Sequence, residues 1–226
     1  MSWSERPWNE GPWREGSGSG LTPRIAVLFP TETEASTFAS PDVLVAVSGV
    51  GLTAASYSTA QLIHRYSPDL CILAGTAGSY PHSGLKVADS VLVASVVEAD
   101  LGVFTRAGFV PMTTAFPELS FPRRGTLNCP ELPGAPFPTA RCASVNAAMA
   151  PFIDTSDIDI EDMESAAFGF VCQAERQPFA VLRTVSNVVG DAGPWDLDQA
   201  VRTLTTSLHR LIDFLRRAPE ETFRRE

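Results

Sequence analysis

From Arg24 to Arg217 short β-branched runs take turns with helical stretches, and this alternation constrains the fold more than any other feature of the chain. "RIAVLF" reads as a buried strand, and "VLVAVSGV" as a second that ends on Gly49 and Gly51. "LTAASYSTAQLIHRY" has small and apolar residues at helical spacing and stops at Pro68. "LCILAGTAG" is a third strand running into glycines, and "DSVLVASVVEAD" is a fourth. "SAAFGFVCQAER" is helical; Pro178 ends it and "FAVLRTVSN" returns to strand. "DLDQAVRTLTTSLHRLIDFLRR" closes as an amphipathic helix with Leu204, Leu208, Leu211, Ile212 and Leu215 on one side. Strands alternating with helices predict one α/β domain, a mixed and mostly parallel central sheet flanked by helices.

The pattern divides the 226 residues into three parts. Residues 23–218 form the domain, long enough for a sizeable core. Residues 1–22 are rich in Gly, Pro, Ser and charge, and Trp3, Trp8 and Trp13 recur every five residues, which fits neither helix nor strand. They read as a disordered extension ending in the linker "GSGSG", or as an arm whose tryptophans dock elsewhere. Residues 219–226 are a polar tail. Between Val103 and Arg141 the many prolines read as an irregular excursion, a lid or a subunit contact.

Charge and cysteine usage exclude several functions. A formal net charge of -9 repels phosphate backbones, so nucleic acid is not an expected partner. No apolar run reaches the roughly 18–20 residues that span a bilayer. Cys71, Cys129, Cys142 and Cys172 form no C-x-x-C pair and read as reduced core thiols of a cytoplasmic protein. His64, His82 and His209 are scattered, so no metal site is expected. "AGTAG" lacks the spacing of a P-loop or of G-x-G-x-x-G, and no cofactor is expected.

In parallel sheets ligands bind beyond the carboxyl ends of the strands. Three segments of interest fall there: Glu32 to Glu34, Gly75 to Gly78, and Ser186 to Asn187. Glu32 and Glu34 in "FPTETEA" share a face in extended chain and by themselves read as helix-capping carboxylates of a solvated turn. "EDMESAAF" reads as a helix start with acids complementing the dipole; yet Glu164 opens a buried-looking helix, where a carboxylate needs partners. Arg183, inside the apolar "LRTVSN", reads as a structural ion pair or as a cation facing a carboxylate cluster.

Taken in order, "FPTETEA", "SGVG", "AGTAGSY", "LKVADSV", "EDMESAA" and "LRTVSN" resemble the nucleoside phosphorylase and nucleosidase superfamily, over Arg24 to about Arg217. The hydrolase branch fits best, because Ile72, Leu73 and Ala74 stand where phosphorylases carry an arginine. The resemblance implies that Glu34 activates the attacking water, with Glu32 its nearest competitor. It implies that Arg183 and Thr76 help place that water, that Glu164 grips the ribose hydroxyls and that Met163 packs beside the sugar. Ala77 and Gly78 would floor the substrate site, and Val50 would line the pocket for the 5′ group. A homo-oligomer is implied as well, with a neighbour closing the pocket.

Asn187 stands where adenine-specific members of the family carry Asp. Adenine offers an amino group at C6 and needs an acceptor, whereas a 6-oxopurine offers a carbonyl and needs a donor. An Asn amide can donate to O6 while its oxygen accepts from N7–H. "VSNVVG" followed by "PWDLDQA" is similar to the futalosine hydrolases, which release hypoxanthine from futalosine in menaquinone synthesis. "GDAGPW" lacks the basic residue expected to anchor that substrate's carboxylate. Alternatives within the resemblance are a methylthioadenosine/adenosylhomocysteine nucleosidase and a purine nucleoside phosphorylase.

Overall fold

A computed structural model describes residues 23–115, 125–190 and 195–218. The N-terminal extension, the polar tail and the first part of "DAGPW" lie outside the described residues.

The strands fall where β-branched runs predict them: β1 (Ile25–Phe29), β2 (Val43–Val47), β3 (Leu70–Ser79), β4 (Ser90–Glu98) and β10 (Phe179–Val188). The sheet order is β10-β4-β8-β9-β3-β1-β2, where β8 is Thr139–Ser144 and β9 is Ile160–Asp162. β10 also pairs with β3, so β10, β4, β8, β9 and β3 close into a ring, with β1 and β2 extending it. Pairing is parallel for β1 with β2 and β3, for β10 with β3, and for β8 with β4 and β9. It is antiparallel where β4 meets β10 and where β9 meets β3.

Alternate residues of the central strands serve two apolar layers, as period two demands. Ile25, Val27, Phe29, Leu70 and Ile72 pack against α5 (Leu197–Leu215) through Leu204, Leu208 and Leu211. Ala26, Leu28, Cys71 and Leu73 face the other way, toward α2 (Leu52–Tyr66) and α4 (Ser165–Ala174) through Leu62, Phe168 and Cys172. α2 ends as its Pro68 predicts, with Ser67 at φ 45 closing the last turn. All four cysteines are free and buried, and burial pushes the Cys129 thiol up to about 12. No helix among the described residues is long and apolar enough to cross a membrane.

Two readings change. The proline-rich excursion contains structure: a hairpin of β5 (Gly102–Thr105) and β6 (Gly108–Pro111), the short α3 (Met112–Ala115), β7 (Leu127–Asn128) on β4, and then β8. "EDMES" is not simply a helix start, because Ile160–Asp162 pairs with both β8 and β3, and α4 begins only at Ser165. Three residues show no period of their own; tertiary pairing makes them a strand.

Gly75 on β3 faces Arg183 on β10, directly opposite in register. A Cβ there would overlap Nη1 of Arg183 and lie 3.0 Å from Cδ of Pro30. The guanidinium is tethered and cannot yield, so Gly75→Ala is expected to cost about 1–3 kcal/mol through overpacking. A lowered urea midpoint with an unchanged slope checks this.

Candidate active site

β1 ends at Phe29, and one turn later Thr31 caps the short α1 (Glu32–Ala35), its Oγ1 accepting from the Glu34 N–H at 3.2 Å. That turn swings Glu34 inward and leaves Glu32 exposed. The Glu34 carboxylate accepts three further bonds: the Thr31 hydroxyl at 2.7 Å on one oxygen, and the Thr76 N–H at 2.7 Å and hydroxyl at 2.9 Å on the other. Its direction is therefore fixed, at the carboxyl ends of β1 and β3.

Behind it lies a buried charge cluster. Arg183, fully buried on β10, sits 2.8 Å from Asp162 through Nε and 3.2 Å from Glu164 through Nη2. Ser165 Oγ donates to Asp162 and accepts from Arg183 Nη2 at 3.2 Å. Asp162 also accepts from the Ser144 hydroxyl at 2.6 Å and from the N–H of Glu164 and of Ser165 at 3.3 and 3.2 Å. Burial alone would push the Asp162 carboxyl up, but Arg183 and the two serine hydroxyls outweigh it and hold it below the ordinary carboxylate value. Burial lowers the Arg183 guanidinium while Asp162 and Glu164 raise it, and the acids win. For Glu164 burial dominates and, with Asp162 and Glu34 nearby, pushes it up despite Arg183. The second Glu164 oxygen accepts from the Gly51 N–H at 3.0 Å. Gly51 reaches it at φ 92, a left-handed conformation natural to glycine.

These groups meet at one cavity of about 240 Å³. Glu34, Glu164, Met163, Thr76, Ala77, Gly78, Val50 and Asn187 all line it, joined by Thr31, Glu161, Asp162 and Trp195. Arg183 does not; it braces Glu164 and Asp162 from beneath. None of the described lining residues is basic. Among the described residues no cluster of His, Cys, Asp and Glu is arranged to hold a metal ion. Asn187 is buried at the end of β10, opposite Gly78. Its Oδ1 accepts from the Ser186 hydroxyl at 3.0 Å, and its Nδ2 lies 3.3 Å from where a Gly78 Cβ would stand.

Sequence reasoning missed three contributors. Asp162 looked like one acid among several, although its spacing of three before Ser165 is that of a capping carboxylate. Glu161 and Tyr80 gave no signal, since only the β3–β9 register brings them together. The Tyr80 hydroxyl donates to Glu161 at 2.7 Å, and burial, reinforced by that carboxylate, pushes the phenol up so that it stays a donor.

A ring-closed α/β sheet with anchored carboxylates, and no basic residue among the described lining of its cavity, fits the class that the relatives define, an enzyme of the nucleosidase kind. More particularly, the chain belongs to the Phosphorylase superfamily, whose family model matches residues 29–218. A 5′-methylthioadenosine/S-adenosylhomocysteine nucleosidase of Shewanella sp. (strain MR-7) is 30% identical, covering 74% of this chain and 75% of the relative. A futalosine hydrolase of Thermus thermophilus is also 30% identical, covering 73% and 79%. In fold the chain is similar to an MTA/SAH nucleosidase crystal structure, with TM-score 0.72, 20% identity and coverage of 90% of this chain and 100% of the other.

Asp162, whose carboxyl is held below its ordinary 3.8, contributes stability that is complete above that value and is lost as pH falls through the lower value of the fold. Asp162→Asn leaves a buried guanidinium short of an anion, and the expected loss at neutral pH is about 3–5 kcal/mol. Because the wild type alone loses this contribution in acid, the gap should narrow below about pH 4. Denaturant titrations at pH 7 and pH 3 measure both.

Proposed function

We propose that this chain hydrolyses the N-glycosidic bond of a 6-oxopurine nucleoside, most specifically futalosine, giving hypoxanthine and dehypoxanthine futalosine. The observation that carries this reading is the orientation of Asn187. Its oxygen is engaged by the Ser186 hydroxyl and its amide nitrogen is turned to the cavity side at Gly78. A donor at that position suits O6 of a 6-oxopurine, and the second lone pair of Oδ1 can take N7–H.

The residues then divide the work. Glu34, held by Thr31 and Thr76, orients a water and takes its proton as the oxygen adds to C1′. The C1′–N9 bond breaks and its electron pair passes to the purine, whose N7 takes a proton from solvent water, and the N7–H then donates to Oδ1 of Asn187. Glu164 accepts from the ribose hydroxyls, Met163 packs beside the sugar, and Ala77 and Gly78 floor the base. Arg183 acts through Glu164, whose carboxylate it keeps in place. The carboxylates around the sugar favour the positive charge that develops on the ribosyl ring. The same carboxylates, with no basic residue among the described lining, disfavour bound phosphate, which supports hydrolysis over phosphorolysis.

Half-exposed Val50 at the cavity would meet the 5′ substituent. The reading includes a homo-oligomer, supported by exposed Phe104 and Phe170, and a cytoplasmic location, supported by four free thiols. A second reading, a methylthioadenosine/adenosylhomocysteine nucleosidase, is favoured by the Shewanella relative and opposed by Asn187.

Incubation with futalosine, inosine and methylthioadenosine in parallel, without phosphate, should release hypoxanthine from the first two faster than adenine from the third. Faster adenine release would overturn the reading, and strict phosphate dependence would make the enzyme a phosphorylase. Glu34→Gln should lower kcat by about 10²–10⁴-fold while the fold persists. Asn187→Asp should move the preference toward adenine by about tenfold or more, measured as the ratio of kcat/KM values.

A further inference from the structure

Three strands meet in one row at the mouth of the sheet. Asn187 on β10 opposes Gly78 on β3, and Gly78 opposes Glu161 on β9. A Cβ added at Gly78 would find Asn187 Nδ2 at 3.3 Å and Glu161 Cγ at 3.5 Å. Val189 Cγ2 would stand at 2.8 Å, so only glycine fits here, and its bare Cα lets the amide and the carboxylate approach from two sides; all three residues line the cavity.

The carboxylate is fixed from the protein side. Tyr80 donates its hydroxyl to Oε2 at 2.7 Å, and the Met149 N–H donates to Oε1 at 2.9 Å. Each oxygen keeps a lone pair, so this wall presents acceptors only. The backbone donor at Met149 is already used. A purine edge lying between Asn187 and Glu161 thus meets a donor at one side and an acceptor at the other. A 6-oxopurine has that complement, an acceptor at O6 beside a donor at N1–H. Adenine has the reverse, a donor at the 6-amino group beside an acceptor at N1.

We propose that Glu161 is a second specificity-determining residue, accepting the N1–H of a 6-oxopurine and repelling the N1 lone pair of adenine. The assignment rests on the 6-oxopurine reading above and extends it to the neighbouring edge of the base. A carboxylate acceptor makes the stronger kind of hydrogen bond, and a buried mismatch at such a position commonly changes preference by about tenfold or more.

The test is calorimetric titration of the full chain with hypoxanthine, 1-methylhypoxanthine and adenine, for the wild type and for Glu161→Gln. The wild type should bind hypoxanthine about tenfold or more tightly than either of the other two. In Glu161→Gln, whose amide can turn a donor toward N1 of adenine, the hypoxanthine-to-adenine ratio should fall by about tenfold. A merely structural role for Glu161 would weaken both bases alike and leave that ratio unmoved. Should 1-methylhypoxanthine bind the wild type within threefold of hypoxanthine, the assignment is overturned, and that comparison needs no variant to fold. Adenine preferred by the wild type would sink the 6-oxopurine reading itself. Hypoxanthine preferred, with the ratio unmoved in Glu161→Gln, would sink the Glu161 assignment alone.

Discussion

The guanidinium of Arg183 is wholly enclosed, and the geometry around the cavity depends on it. A cation taken out of water is tolerated only when anions and hydrogen-bond acceptors replace its hydration. Here Asp162, Glu164 and the hydroxyl of Ser165 do so at Nε and Nη2, while Nη1 finds no hydrogen-bond partner among the described residues. The dependence runs the other way too: without that cation, Glu164 and Asp162 would be two buried acids repelling each other. The pair forces a neighbouring choice, since the space for the guanidinium exists only because residue 75 has no side chain. Arg183, Gly75, Asp162, Ser165 and Glu164 are therefore one unit drawn from β10, β3, β9 and α4, and it ties the ring of strands to the helix behind it.

That unit also sets the electrostatics in front of it. Four acids line or border the cavity, each restrained by donors from the protein rather than by cations at its surface: Glu34 by Thr31 and Thr76, Glu161 by Tyr80 and Met149, Glu164 by Gly51 on one oxygen, and Asp162 by Ser144. An acidic cavity with no basic residue among its described lining, and with Arg183 beneath, is well suited to developing positive charge and poorly suited to anions. Under the proposed function this explains, from one arrangement, both stabilisation of an oxocarbenium-like sugar and preference for water over phosphate.

Much of this was legible in the chain. Runs such as Ile25–Phe29 and the apolar spacing of Leu204, Leu208 and Leu211 carry their period within themselves, so β1 and α5 could be read locally. Glu164 stood out because a carboxylate opening a buried helix needs a partner, Glu34 and Asn187 through the family resemblance, and the structure brings all three to one cavity. What stayed hidden depends on register. β9 is three residues long and exists only through its two neighbours, so Glu161 and Asp162 could not be told from helix-start acids. Tyr80 carries no local signal either, since only the fold brings its hydroxyl to Glu161. Arg183 was read as helping to place water, but its position is beneath the cavity, where its contact is with the carboxylates.

One irregularity sets where Asn187 stands. Along β10 and β3 the register runs Arg183 with Gly75, Thr184 with Thr76 and Val185 with Ala77, then slips so that Asn187 stands opposite Gly78. In an unbroken ladder Ser186 would hold that place and Asn187 would face Ser79, one step farther out. The inserted residue draws the amide back into the row shared with Glu161, and bulges beside active sites commonly re-aim a side chain in this way. Ser186 is not idle at the bulge: its hydroxyl reaches Oδ1 of Asn187 at 3.0 Å and the carbonyl of Ala77 at 3.3 Å. The residue that breaks the ladder thus also holds one end of the Asn187 amide within hydrogen-bonding distance. Under the proposed function, base choice is therefore a matter of strand register as much as of residue type, because an Asn at this position without the slip would stand one step outside the row shared with Glu161.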